Sequence, residues 1–100
     1  MFRLTDHIPP SQLEDLCKAY HIRKLSLFGS AARGEMKPDS DIDILVEFEE
    51  GKAPGLMGFC HIQGLLTSLV GREVELHTPH DLSRHFRDEV LKHAVVQHGH

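Results

Sequence analysis

The sequence predicts an α/β (α+β) domain, a small mixed β-sheet flanked by helices. Three observations lead there. Residues 24–28 (KLSLF) and 41–48 (DIDILVEF) alternate in the two-residue period of a strand and are rich in branched and aromatic side chains. The segments around them carry apolar residues at helical spacing, giving the order α-β-α-β-α-β-α with short connections. The length, 100 residues, makes a single domain over residues 1–100, with a modest core.

Taken in order, Ile8-Pro9-Pro10 opens the chain as a loop. Ser11, with Glu14 three residues on, reads as a capping box for a first helix whose apolar face is Leu13, Leu16, Cys17 and Tyr20. In the strand 24–28, Leu25 and Leu27 share one face, and Ser26 and Phe28 the other. Gly29 and Ser30 end it. Ser30 is positioned to cap a short helix of Ala31, Ala32 and Arg33, and Gly34 to stop it. Residues 35–40 (EMKPDS) form a polar loop with Pro38 as breaker.

The strand 41–48 places Asp41, Asp43 and Leu45 on one face, with Ile42 and Ile44 facing a core. Residues 49–58 are a Gly/Pro turn. A helix from Leu56 to Val70 follows, with Phe59, Ile62, Leu66 and Leu69 on its core stripe and Gly71 closing it. Residues 71–77 (GREVELH) supply a third strand, with Val74 and Leu76 on one face and Glu73 and Glu75 on the other. Thr78-Pro79 breaks the chain after this last strand. Residues 81–96 read as one or two short helices with Phe86, Val90, Leu91 and Ala94 apolar.

The chemistry concentrates between Phe28 and Val46. Alternation sets Asp41 and Asp43 roughly 6 to 7 Å apart on one face. Carboxylates that close repel, and one pKa rises unless a cation sits between them. A hard cation with oxygen ligands resolves the conflict, and Mg²⁺ suits it, taking one or two carboxylates plus substrate phosphates. On its own, DxD reads equally well as a solvated strand end. The Gly29-Ser30 turn adds a backbone that lets a ligand approach closely, free N–H groups at a helix start, and Arg33 for a charge-assisted bond to phosphate. Short connections bring Ser30 and the aspartates to the same end of a sheet.

These residues, Gly29-Ser30-Ala31-Ala32-Arg33-Gly34 followed by Ser40-Asp41-Ile42-Asp43, resemble the nucleotidyltransferase superfamily that includes the DNA polymerase β palm. The nearest branch is the minimal nucleotidyltransferase (MNT) family, with its pattern GS-x-AR-G, a spacer, then SDIDxxV. The likeness extends over nearly the whole chain. It implies a palm-like fold and transfer of AMP from ATP to a hydroxyl with Mg²⁺ as cofactor. It implies Asp41 and Asp43 as catalytic, metal-binding residues, and Gly29, Ser30, Arg33 and Ser40 as nucleotide-binding ones. It also implies a third carboxylate, usually Asp, on a later strand. The matching position is Glu75, which completes the metal site or accepts the hydroxyl proton. Stand-alone MNT proteins of this size act as antitoxins beside a HEPN-domain ribonuclease toxin and adenylylate one of its tyrosines.

Composition narrows the alternatives. A net charge of −4 argues against nucleic acid as the main partner. No apolar run reaches the roughly 20 residues of a membrane span and no signal peptide is visible. Cys17 and Cys60 form no CxxC and read as reduced thiols in a cytoplasmic protein. The nine histidines, His77, His80, His93, His98 and His100 among them, read as dispersed surface residues that make the charge pH-sensitive. A chain with a catalytic centre but no second, substrate-binding domain implies an acceptor on another polypeptide. Three other readings stay open here. The first is an antitoxin that acts by contact alone, the second a nucleotidyltransferase acting on a small molecule, and the third an α/β domain whose acidic strand binds nothing.

Overall fold

The computed structural model describes residues 2–35, 37 and 39–99. Pro38, expected to break the loop, and His100 lie outside the described residues.

Helix α1 spans Pro10–Ala19, β1 Ile22–Phe28, α2 Ser30–Arg33, β2 Ile42–Phe48, α3 Leu56–Val70, β3 Val74–His77, α4 Arg84–His93 and β4 Val95–His98, with single 3-10 turns at Leu4–Asp6 and Pro79–Asp81. The strands form one mixed sheet in the order β3-β2-β1-β4. β1 runs antiparallel to both β2 and β4, while β2 and β3 are parallel. The parallel pair needs a crossover, and α3 provides it.

The expected alternation sorts the sheet into two faces. Leu25 and Leu27 of β1, Ile42, Ile44 and Val46 of β2, and Val74 and Leu76 of β3 enter the main core with Leu13 and Cys17 of α1 and Ile62, Leu66 and Val70 of α3. Phe59 and Leu69 pack at its margin. On the opposite face, Phe28 and Leu45 form a smaller cluster with Leu82 and with Val90 of α4. This second face is only partly roofed, and the functional groups lie at its open end.

The structure departs from the sequence reading at the tail and at the start of α1. The tail is not wholly helical: after α4, Val95–His98 forms a fourth strand on the free edge of β1, and Gln97 Oε1 accepts the Leu4 N–H at 2.8 Å. So the third strand is not the last. α1 begins at Pro10, with Pro9 as N-cap and no side-chain cap bond. Pro10 supplies the fixed φ of a first helical residue, so the helix starts one residue before Ser11 and leaves Ser11 inside its first turn. A capping box does occur, at Thr78 and Asp81, where the Thr78 N–H donates to Asp81 Oδ2 at 3.1 Å.

Candidate active site

Strand register builds the site. In the antiparallel pair Phe28 stands opposite Asp43, and in the parallel pair Asp43 stands opposite Glu75. One line across three strands therefore holds the end of β1, the start of β2 and the start of β3. Two residues further along β3, His77 lies on the same sheet face.

Ser30 does not cap α2. Gly29 occupies the N-cap position without a side-chain bond, and Ser30 is the first helical residue. The chain leaves β1 through Gly29 at φ 66° and ψ −144°, a conformation that side chains oppose. A Cβ added there would meet Asp43 Oδ2 at 2.8 Å. The turn is thus glycine for two reasons, its backbone angle and its closeness to the Asp43 carboxylate.

Asp43, Glu75 and His77 each offer one ligand atom, and these atoms all lie within 4.8 Å of one another. His77 Nε2 is 3.7 Å from Asp43 Oδ1 and 3.8 Å from Glu75 Oε2. The Phe28 ring packs edge-on against the His77 imidazole, with centroids 5.2 Å apart. Burial pushes the Asp43 carboxyl above its ordinary range, and the Glu75 charge adds to the push. His77 pulls the other way, a side-chain hydrogen bond with Glu75 raises it further, and the Asp41 charge makes the weakest contribution. Two crowded carboxylates beside an imidazole fit a divalent cation, whose charge relieves the repulsion that a proton otherwise relieves.

A cavity of about 740 Å³ opens over this cluster. Gly29, Ser30 and Arg33 form one wall, and Asp43, Glu75 and His77 form the floor. The opposite wall is Leu82 with Phe86, Glu89, Val90 and His93 of α4. The site is therefore polar and acidic at the sheet end and mixed toward α4, where Leu82, Phe86 and Val90 stand beside Glu89 and His93.

The remaining expected site residues are placed differently. Asp41 is exposed and precedes the first paired residue of β2, Ile42, so the strand ladder does not hold it in the ligand cluster. Arg33 borders the cavity, but its Nε donates to Glu35 Oε2 at 3.0 Å. Ser40 lies outside the cavity lining. Its Oγ accepts the Lys37 N–H at 2.9 Å, and its carbonyl accepts from Arg72 Nη2 at 2.7 Å. Arg72 Nη2 also reaches the Lys37 carbonyl, at 2.6 Å, and so ties the loop before β2 to the turn before β3. Sequence reading missed His77, which is not a dispersed surface histidine. Its one sequence signal was its place two residues after Glu75 in a strand of period two.

The nucleotidyltransferase domain family matches residues 10–96. Protein adenylyltransferase MntA of Thermococcus cleftensis is 38% identical over 82 residues, which cover 82% of this chain and 81% of the relative. A solved structure assigned to the minimal nucleotidyltransferases superposes with a TM-score of 0.72 at 31% identity, covering 94% of this chain and 95% of that one. A toxin–antitoxin crystal structure with AMP-PNP superposes with a TM-score of 0.73 at 20% identity, covering 93% and 75%. A chain from the complex of tri-AMPylated Shewanella oneidensis HEPN toxin with MNT antitoxin does so with 0.63 at 18% identity, covering 90% and 69%. The last two likenesses are of fold. Among the described residues, no helix is long and apolar enough to cross a membrane.

Proposed function

This chain belongs to the nucleotidyltransferase domain family and is a nucleotidyltransferase, and we propose that it moves AMP from ATP to a tyrosine hydroxyl of a HEPN-type ribonuclease toxin, acting as that toxin's antitoxin. The observation that carries the reading is the meeting of the Gly29-Ser30 turn with Asp43 and Glu75 in the lining of one cavity. The 38% identity to a protein adenylyltransferase supports the choice of a protein acceptor.

In this reading the triphosphate lies along the Gly29-Ser30 turn, where the backbone of a residue without Cβ permits close approach. Arg33 stands at the cavity wall to balance phosphate charge, exchanging its bond to Glu35 for one to phosphate. Asp43 and Glu75 would hold the divalent cation, with Asp41 available from the adjoining loop. When bound, the cation neutralises triphosphate charge and acidifies the attacking hydroxyl. The tyrosine oxygen attacks the α-phosphorus, the bond to the β-phosphate oxygen breaks, and pyrophosphate leaves. Glu75, half exposed in the cavity lining, takes the hydroxyl proton on the carboxylate oxygen that the cation leaves free. Leu82, Phe86 and Val90 give the opposite side an apolar surface. On the toxin, the added AMP places bulk and negative charge where RNA must bind.

The test is intact-mass analysis of this protein co-purified with the product of the neighbouring gene and given Mg·ATP. The expected result is a gain of one or more AMP masses on the partner, lost in Asp43→Asn. A stable complex with no mass change, while ATP remains intact, overturns catalysis and leaves an antitoxin that acts by contact.

A further inference from the structure

A carboxylate pair alone favours Mg²⁺, but the third donor at this site is nitrogen. His77 Nε2 lies 3.7 Å from Asp43 Oδ1 and 3.8 Å from Glu75 Oε2. First-row ions bind such donors at about 2.0 to 2.2 Å, which sets neighbouring ligand atoms about 3.0 Å apart at octahedral angles and about 3.4 Å at tetrahedral angles. All three ligand atoms lie within 4.8 Å of one another, so sharing one ion takes a few tenths of an ångström at the His77 contacts and up to about 1.8 Å between the two carboxylates. All three side chains have room for it, since His77 is a third exposed, Asp43 similar and Glu75 half exposed.

The two oxygens of Asp43 also face different neighbours. Oδ2 is turned to the bare Cα of Gly29, and Oδ1 is the oxygen nearer His77. The Phe28 ring, edge-on to the imidazole at 78°, restricts its rotation away from the carboxylates. Imidazole suits ions such as Zn²⁺, Fe²⁺ and Ni²⁺, and Mn²⁺, itself an oxygen-favouring ion, accepts one imidazole beside carboxylates more readily than Mg²⁺, which keeps its waters.

We propose that His77 is a third protein ligand at the Asp43–Glu75 site, and that it selects a first-row transition ion, such as Mn²⁺, over Mg²⁺. The proposal rests on the reading of Asp43 and Glu75 as the cation-holding pair, and it names the metal class that pair works with. Mg²⁺ loses little without His77, because a water takes the vacant position. A transition ion loses a preferred donor.

The experiment uses the whole chain, without nucleotide or partner. Mn²⁺ and Mg²⁺ are each titrated by calorimetry, and the Mn²⁺-loaded protein is examined by pulsed electron paramagnetic resonance for nitrogen modulation. Wild type is expected to bind Mn²⁺ at least about tenfold more tightly than Mg²⁺, and His77→Gln to lose about tenfold in Mn²⁺ affinity. The nitrogen modulation is expected in wild type and in His93→Gln, whose imidazole borders the cavity but pairs with Glu89, and to vanish in His77→Gln. A wild-type spectrum without nitrogen modulation overturns the proposal, as does His77→Gln binding Mn²⁺ as tightly as wild type. The wild-type spectrum decides the matter even if His77→Gln fails to fold. Neither readout involves AMP transfer, so failure of the transfer reading and failure of the His77 assignment are separate results.

Discussion

Replacing Gly29 with alanine tests the coupling between the turn and the carboxylate. The backbone there, at φ 66° and ψ −144°, falls in a region open almost only to glycine. Holding a side chain in such a region costs about 1 to 3 kcal/mol. The stiffer unfolded chain returns about 0.4 to 1 kcal/mol. The net loss is about 1 to 2 kcal/mol, or about 5 to 15 °C in Tm for a domain of this size. The new Cβ, 2.8 Å from Asp43 Oδ2, adds a second effect, because the carboxylate must swing away. Gly34→Ala is the control. Gly34 is also left-handed, at φ 71°, but its Cβ meets nothing within 4 Å. It should cost about 1 kcal/mol and leave the site intact. Urea unfolding at constant m-value measures the first effect in both variants, and Mn²⁺ calorimetry measures the second. Stability loss in both, with cation binding lost in Gly29→Ala alone, is the expected pattern. A Gly29→Ala protein that binds the cation like wild type would refute the claim that the bare Cα makes room for Asp43.

Asp43 gives a pH prediction. Its carboxyl is raised in the folded state, chiefly by burial and then by Glu75, so the folded protein binds that proton more tightly than the unfolded chain does. Stability from this group is therefore present at low pH and lost as pH rises from the ordinary carboxylate range through the raised value. In chelator, Asp43→Asn should melt above wild type at pH 7, with the gap closing toward pH 4; a gap independent of pH contradicts the assignment. The two cysteines should differ in reactivity. Burial pushes the Cys17 thiol up to about 12, whereas Cys60 is exposed. At pH 8 a thiol reagent should therefore label one cysteine in native protein and both in denaturant, and fast labelling of Cys17 in the native state would count against its burial. Gln97→Ala removes the acceptor for the Leu4 N–H, held at 2.8 Å, and should cost about 1 to 3 kcal/mol in urea unfolding with faster amide exchange along β4. Unchanged stability would mean that β4 is held by its pairing to β1 alone.

Much of the fold was legible locally. The alternation of residues 24–28 and 41–48 set β1 and β2 and the side of the sheet each residue faces, because a side-chain period of two is a property of the strand itself. The stripe of Phe59, Ile62, Leu66 and Leu69 set α3 in the same way, from Leu56 to Val70. Gly29-Ser30 and Asp43 were readable as a group because the motif fixes their order along the chain, and Glu75 was reached only through the family resemblance.

Other features depended on contacts between distant segments. Val95–His98 is too short to carry a strand signal against the helical pattern before it, and it becomes β4 only because β1 offers an unpaired edge. Asp41 shares the DxD motif with Asp43, yet pairing begins at Ile42, so the sheet fixes one aspartate and leaves the other exposed. His77 reaches Asp43 through the parallel register of β2 and β3, which sets Leu45 beside His77 and Asp43 beside Glu75. The sequence thus determined by itself the strands β1 to β3, the helices around them and which residue types the site requires, since these follow from short-range pattern. Only the tertiary structure decided which of those residues share the cavity, because register between strands joined by a fifteen-residue helix is set by packing across the sheet.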